Sequence, residues 1–379
     1  MGVAIVYPSS ATVFCMATLK ASSSKLTGSG MTALKASSTG AGAAGRGLAA
    51  SGLPNRARED ERKTNVSVPR NGAFTPRKIA FHAMSPQQHA RGRMTMVTDI
   101  RAARPLAGAF VPRVVVLDLD GTTIDFRQRL HPRIRDTVRT VAARLPVIVA
   151  TGRMYRSSVP WAHELGVREP LVCYQGALVR DMPRNDGSAG QTIFEQPLGP
   201  APARRALHIA REQNWHFQAY QNDELLCEQD RPEAWLYSQI SGVQFRLVPD
   251  LEPLLEHGTT KAACVIEDLT EVDRAIAVMT RELAEHARVT RSNPEFVEIL
   301  DPGVSKAAAC EIVCRRLGHT LANALAIGDA PNDIELLTAA GYGVAVASSR
   351  PEVLAAADAT CASPEDGGVA DVLEAFGLL

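Results

Sequence analysis

From residue 113 onward, short unbroken apolar runs alternate with stretches of helical period. Val114-Val115-Val116-Leu117, Val147-Ile148-Val149-Ala150 and Leu171-Val172-Cys173-Tyr174 have no position to turn toward water. Such runs predict strands covered on both faces of a parallel sheet. A helix fits residues 131–144 and ends before Pro146. Strands alternating with helices build βαβ units. Between about 178 and 300 the pattern changes. Residues 216–221, 244–248 and 261–266 mix polar and apolar positions, as in a sheet with one face in water, and helices fit 200–213 and 270–286. The buried pattern then returns with a helix over 305–317, strand Ala324-Leu325-Ala326-Ile327, a helix over 332–340 and strand Gly343-Val344-Ala345-Val346. The expected fold is α/β: a doubly wound parallel, Rossmann-like sheet built from 111–177 and 301–379, interrupted by an inserted α+β domain over 178–300.

Composition changes the picture mainly at the N-terminus. The chain has 379 residues, 45% apolar and 22% charged, with a formal net charge of zero. No run approaches the ~18 apolar residues of a membrane-spanning helix, so no membrane partner is expected. The zero is the sum of unlike parts. Residues 1–110 carry 15 Lys+Arg against 4 Asp+Glu, and residues 111–379 carry 26 against 37. Segment 1–58 has no acidic residue, is rich in Ser, Ala, Thr and Gly, and spreads six basic residues along its length. That is the composition of an organelle transit peptide. The abundance of Ser and Thr puts the chloroplast (plastid stroma) first and the mitochondrion second. A secretory signal needs a longer apolar core than Val3–Val6 supplies. A nucleic-acid-binding arm would cluster its basic residues, and these are dispersed, so no nucleic-acid partner is expected. Residues 1–110 are thus expected to be transit peptide and disordered linker.

The chemistry gathers at strand ends. Asp118-Leu119-Asp120-Gly121-Thr122 follows the first strand, and ligands of open α/β sheets bind outside the carboxyl ends of strands. Residues i and i+2 of an extended chain point the same way, so two carboxylates can flank one phosphoryl group. One can attack as nucleophile; the other can protonate the leaving oxygen and later take a proton from water. Two carboxylates facing a phosphate repel, so a cation must intervene. A second acidic cluster, Gly328-Asp329-Ala330-Pro331-Asn332-Asp333, follows a later strand. Carboxylates from two strand ends plus a phosphate oxygen suit Mg²⁺. Lys306 supplies a fixed positive charge, and Thr151-Gly152 offers a hydroxyl and a backbone N–H to phosphate oxygens.

In this order, Asp118-Leu119-Asp120-Gly121-Thr122, Thr151-Gly152-Arg153, Gly303-Val304-Ser305-Lys306 and Gly328-Asp329-x-x-Asn332-Asp333 resemble the four motifs of the haloacid-dehalogenase-like phosphatases. The long insertion between the second and third resembles the cap of the Cof-type subfamily, and the match spans about 113–379. The resemblance implies Asp118 as nucleophile and Mg²⁺ ligand, and Asp120 as general acid/base with its backbone carbonyl on the metal. It implies Asp329 as the third ligand, with Asp333 behind the metal. Leu119 (through its backbone N–H), Thr151, Gly152, Lys306 and Asn332 would hold phosphate. The implied reaction is hydrolysis of a small organic phosphate, such as a sugar phosphate or phosphorylated cofactor, through an aspartyl-phosphate. Family members that act on carbon–halogen bonds lack the second acid of the first motif, so Asp120 argues for phosphate transfer. A phosphomutase or phosphotransferase is the alternative enzyme, and a non-catalytic phospholigand-binding protein the alternative outside enzymes. The sequence departs from the family at Gln175-Gly176-Ala177, where Asn-Gly-Ala is usual, at Ala307 in place of Gly, and at Val346-Ala347-Ser348-Ser349.

Other reactive residues carry weaker patterns. Seven Cys contain no Cys-x-x-Cys pair, and Cys310 and Cys314, at i and i+4 on a helix, read first as core thiols. His131, His163 and His208 lack partners in the sequence and read as structural or surface. Arg153 can reach substrate or pair with a carboxylate. Trp215, Tyr220, Trp235 and Tyr237 can line a pocket, but aromatics in such a lobe more often form core.

Overall fold

The structure, a computed structural model, describes residues 98–100 and 110–379. The transit-peptide reading falls on residues outside this set. Strands β1 (Thr98–Asp99), β2 (Val114–Leu117) and β3 (Val147–Val149) open the chain's main sheet. β4 (Leu171–Cys173), β5 (Leu178–Arg180) and β6 (Thr192–Glu195) form a small antiparallel sheet. The inserted domain contributes β7 (His216–Gln221), β8 (Glu224–Cys227), β9 (Phe245–Leu247), β10 (Lys261–Val265), β11 (Arg288–Thr290) and β12 (Phe296–Leu300). β13 (Ala324–Gly328), β14 (Tyr342–Val346) and β15 (Ala359–Cys361) complete the main sheet, whose order is β1-β15-β14-β13-β2-β3 with every pairing parallel.

β2 shows why its apolar run is continuous. Val115 and Leu117 pack with Ile134, Val138 and Val141 of α1 (Pro132–Ala142), on the side that also holds Val369, Val372 and Leu373. Val114 and Val116 face the other way, into a cluster with Cys310, Val313, Cys314, Leu336 and Leu337. Helices therefore cover both faces, so neither set of alternating residues meets water. α1 starts at Pro132, where a ring without an N–H is tolerated. His131 caps it by accepting from the Arg133 N–H at 3.2 Å.

Three expectations are corrected. First, β4 does not extend the main sheet as a full strand. It touches it through the single bridge Ala150–Val172 and otherwise pairs antiparallel with β5. The chain reverses at Tyr174-Gln175-Gly176, whose φ values are 51°, 61° and 103°; consecutive left-handed residues close a turn too tight for a crossover helix. Second, ordered structure reaches upstream of residue 110: Thr98–Asp99 pairs with Ala359–Thr360, and Ile100 is buried. A two-residue strand is too short to show a period.

Third, the inserted sheet, in the order β11-β12-β10-β7-β8-β9, does not leave a polar face to water. One face carries Phe217, Ala219, Ala262, Cys264, Val297 and Ile299 against α2 (Pro200–Gln213) and α3 (Leu269–Leu283). The other face presents Gln218, Tyr220, Lys261 and Glu298, and all four are buried. The alternation is real, but the polar side chains point at the rest of the protein, not at solvent.

Candidate active site

Asp118 ends β2. Its N–H still donates to Ile327 O of β13 at 3.0 Å, so its backbone is held in the ladder while its side chain leaves the sheet. The turn then tightens: Leu119 O accepts from the N–H groups of Thr122, Thr123 and Ile124. Gly121 sits at φ 82°, and a Cβ there would lie 2.4 Å from Asp329 Oδ2. Only glycine permits both that backbone and so close an approach of the second acidic loop.

Lys306 opens helix α4 (Lys306–Arg316), capped by Ser305, whose Oγ accepts from Ala308 N at 3.1 Å. The buried ammonium lies 2.6 Å from Asp118 Oδ1 and 2.7 Å from Asp333 Oδ1. Burial alone would drive the proton off, but the two carboxylates outweigh it and hold Lys306 charged, well above its ordinary range. Asp118, Asp329 and Asp333 bring carboxylate oxygens within 4.8 Å of one another. Burial pushes Asp118 up to about 7 despite the Lys306 charge beside it. Asp329 is raised well above the carboxylate range by burial and then by Asp118 and Asp333. One lysine does not neutralise this cluster. Carboxylates crowded in this way relax when a divalent cation joins them, and an all-oxygen donor set of this kind fits Mg²⁺. Asp333 already spends both oxygens, one on Lys306 and the other on the N–H groups of Asp329 and Ala330 at 3.2 Å. Asp329 accepts from Thr122 Oγ1 at 2.9 Å.

Asp120 has a different partner. Arg153 grips it at two points: Nε to Oδ2 at 2.6 Å and Nη2 to Oδ1 at 2.5 Å. Gln128 contacts both members of the pair. Of the two roles open to Arg153 in the sequence, this structure displays the carboxylate pair. Arg153 also lies over the Trp161 ring.

Thr151, Gly152, Asn332, Asp118 and Asp120 converge on one cavity of about 40 Å³. Lys306 lies behind it through Asp118, and Leu119 is buried in the turn between the paired acids. The opposite wall comes from the inserted domain: Tyr237, Ile240, Ser241, Lys261, Phe296 and Glu298. Lys261 and Glu298 form a buried ion pair, and Lys261 Nζ also donates to Gly152 O at 2.8 Å. Sequence reasoning missed these two residues. Their only signal is a charge on a β-branched or apolar strand, and exposed sheet faces carry the same signal. Of the four aromatics, Tyr237 reaches the cavity; Tyr220 is buried beneath Lys261, 4.7 Å from its ammonium. Trp235 is exposed, and Trp215 donates to Glu271 away from the site. A wider cleft of about 380 Å³ flanks the cavity, bounded by Gly121, Phe126, Leu269, Arg291, Asp329 and Arg350.

A doubly wound sheet with paired aspartates just past β2, a lysine buried between acidic loops and a second domain over it define an α/β hydrolytic enzyme with an inserted cap. A family model for haloacid dehalogenase-like hydrolases matches residues 115–373, and the chain belongs to that family. Its enzyme class is phosphoric monoester hydrolase. The chain is similar to the HMP-PP phosphatase of Serratia proteamaculans, 28% identical over 247 residues that cover 64% of this chain and 86% of the relative. It is similar to the phosphoglycolate phosphatase of Archaeoglobus fulgidus, 26% identical over 271 residues, 71% of this chain and 99% of the relative. A solved structure from Thermotoga maritima matches with a TM-score of 0.59 and 28% identity, covering 70% of this chain and 97% of its own.

Proposed function

We propose that the protein is a Mg²⁺-dependent phosphatase that hydrolyses a small organic phosphate monoester through an aspartyl-phosphate on Asp118. The observation that carries this reading is the placing of Asp118: buried at a strand end, one oxygen fixed by Lys306, and facing the cavity that Thr151, Gly152 and Asn332 line. An Asp118 oxygen attacks phosphorus, and the ester oxygen leaves with the proton that Asp120 carries. A water then attacks phosphorus and returns a proton to Asp120. The Asp118–phosphorus linkage breaks and orthophosphate leaves. Arg153 must release Asp120 before Asp120 can carry a proton, and its guanidinium is then free for a phosphate oxygen. Mg²⁺ held by Asp118, Asp329 and the Asp120 carbonyl would neutralise charge developing on the transferred group.

At about 40 Å³ the cavity holds a few waters, so substrate entry requires the cap or Arg153 to move. The organic part of the substrate fits the flanking cleft, where Phe126 and Leu269 offer apolar surface and the exposed Arg350 positive charge. This favours a sugar phosphate or phosphorylated cofactor. The test is Asp118→Asn against a panel of metabolite phosphates with Mg²⁺. Turnover should fall by roughly 10⁴-fold or more while the fold persists. Near-native phosphate release by the variant would refute the nucleophile. Transfer of phosphate to a second position, in place of release, would establish a mutase.

A further inference from the structure

Gln175 stands where the resemblance leads one to expect Asn, and its longer side chain spans the boundary between core and cap. It lies in the left-handed turn after β4, between Tyr174 and Gly176. Two consecutive non-glycine residues at positive φ are costly, and such turns persist where the surroundings hold them. Here Gln175 N donates to Thr151 O at 3.0 Å, and a Cβ on Gly176 would lie 2.3 Å from Ser305 O, next to Lys306. The turn thus aims the amide between the phosphate-binding loops and the cap. Gln175 Nε2 donates to Glu298 Oε2 at 2.5 Å, and Gln175 Oε1 accepts from Asn332 Nδ2 at 2.7 Å. Glu298 is also the partner of Lys261, which donates to Gly152 O. On the inserted sheet, Glu298 opposes Ala263 and so lies diagonally beside Lys261 on the same face.

The chemistry of the ends dictates the order of the chain. Lys261 can only donate and ionised Glu298 can only accept. Gln175 must therefore turn its NH₂ to Glu298 and its oxygen to Asn332, and Asn332 must answer with its own NH₂. Asn332 Oδ1 is left buried without a protein partner, at a residue that lines the cavity. It is an acceptor held in place for a hydrogen on bound water or substrate. Gly152 is fixed twice, by Lys261 at its carbonyl and by the Gln175 amide, which a Cβ at Gly152 would meet at 2.3 Å.

We propose that Gln175 is a positioning residue that couples the cap to the phosphate cup: the buried cap pair Lys261–Glu298 orients the Gln175 amide, which orients Asn332 and braces Gly152. Cap docking then completes the cup, because two of its supports come from the cap. The kinetic part rests on the phosphatase reading; the coupling does not. Gln175→Asn withdraws the amide by about one carbon–carbon bond, ~1.5 Å, too far to reach Glu298. The KM for a phosphate ester and the inhibition constant for orthophosphate should each rise about tenfold, with kcat within about threefold of native.

Gln175→Glu sets two carboxylates against each other and should be worse, whereas the swap Gln175→Glu with Glu298→Gln restores every donor–acceptor match and the net charge. The swap should recover most of the KM lost by the worse single variant. A native KM in Gln175→Asn, or a double variant no better than Gln175→Glu alone, overturns the proposal. Hydrogen–deuterium exchange reads the coupling without turnover. Amides of β10 and β12 should exchange faster in the full-length Gln175→Glu protein and return toward native in the swap, and unchanged exchange in Gln175→Glu would also overturn it. If the native protein hydrolyses no phosphate ester, the phosphatase reading fails while the exchange result still decides the coupling.

Discussion

Removing the charge of Asp118 should stabilise the metal-free protein, and more so as the pH rises. Burial lifts the Asp118 carboxyl from 3.8 to about 7. A carboxyl that holds its proton more tightly when folded favours the fold in acid, and its ionisation destabilises the fold as the pH climbs between those values. At 1.36 kcal/mol per unit, the cost is about 2 kcal/mol at pH 5 and levels off at about 4 kcal/mol by pH 8. Asp118→Asn removes this cost, and Lys306 keeps Asp333 as its counter-charge. At roughly 2 °C per kcal/mol for a folded part of this size, Tm should rise by up to about 8 °C at pH 8. The gain should be about half as large at pH 5. The assay is thermal unfolding in the presence of a chelator at the two pH values. Adding Mg²⁺ at pH 8 should then raise the Tm of the native protein more than that of the variant, since the cation and the substitution relieve the same cost of a buried charge. A variant less stable than native at pH 8, or an equal shift at both pH values, would refute the claim that Asp118 is held under electrostatic strain.

Gly121→Ala places a Cβ against Asp329 Oδ2 at a backbone angle that L-residues disfavour. Displacing that carboxylate should lower kcat/KM on the order of a hundredfold with near-native far-ultraviolet circular dichroism, and a variant within tenfold of native would contradict the close-approach argument. Cys310 and Cys314 are buried, with the Cys310 thiol pushed well above its ordinary range and that of Cys314 to about 12 by burial. Both should resist alkylation in the folded protein under conditions that label them after unfolding; a disulfide formed between them under mild oxidant would show that the core opens there.

The main elements were legible in the chain because their signal is local. β2, β3 and β13 are apolar on both faces, and helices on both faces are the only cover a parallel sheet of this kind has. The acids of Asp118, Asp120 and Asp329 stand just past such runs, and a residue at the carboxyl end of a buried strand has only the ligand crevice to enter. β4 was harder. It is as apolar as the others, but its pairing is set by the reversal at Tyr174-Gln175-Gly176; Gln and Tyr are not turn-forming types, and the lone Gly176 does not say which strand β4 pairs with.

The sequence by itself determined the layered frame and the set of groups able to handle a phosphate. These follow from hydrophobic period and from the position of polar residues relative to strand ends. Only the tertiary structure decided which charges meet. Arg153 closes on Asp120 from 33 residues away, Lys306 reaches Asp118 across 188, and Gln175 finds Glu298 across 123. The alternation of Lys261 and Glu298 along their strands reads the same whether the polar face meets water or another domain, because a period of two records that two faces differ, not what covers them. Burial against the core turned that face from a solvated surface into the wall of the site.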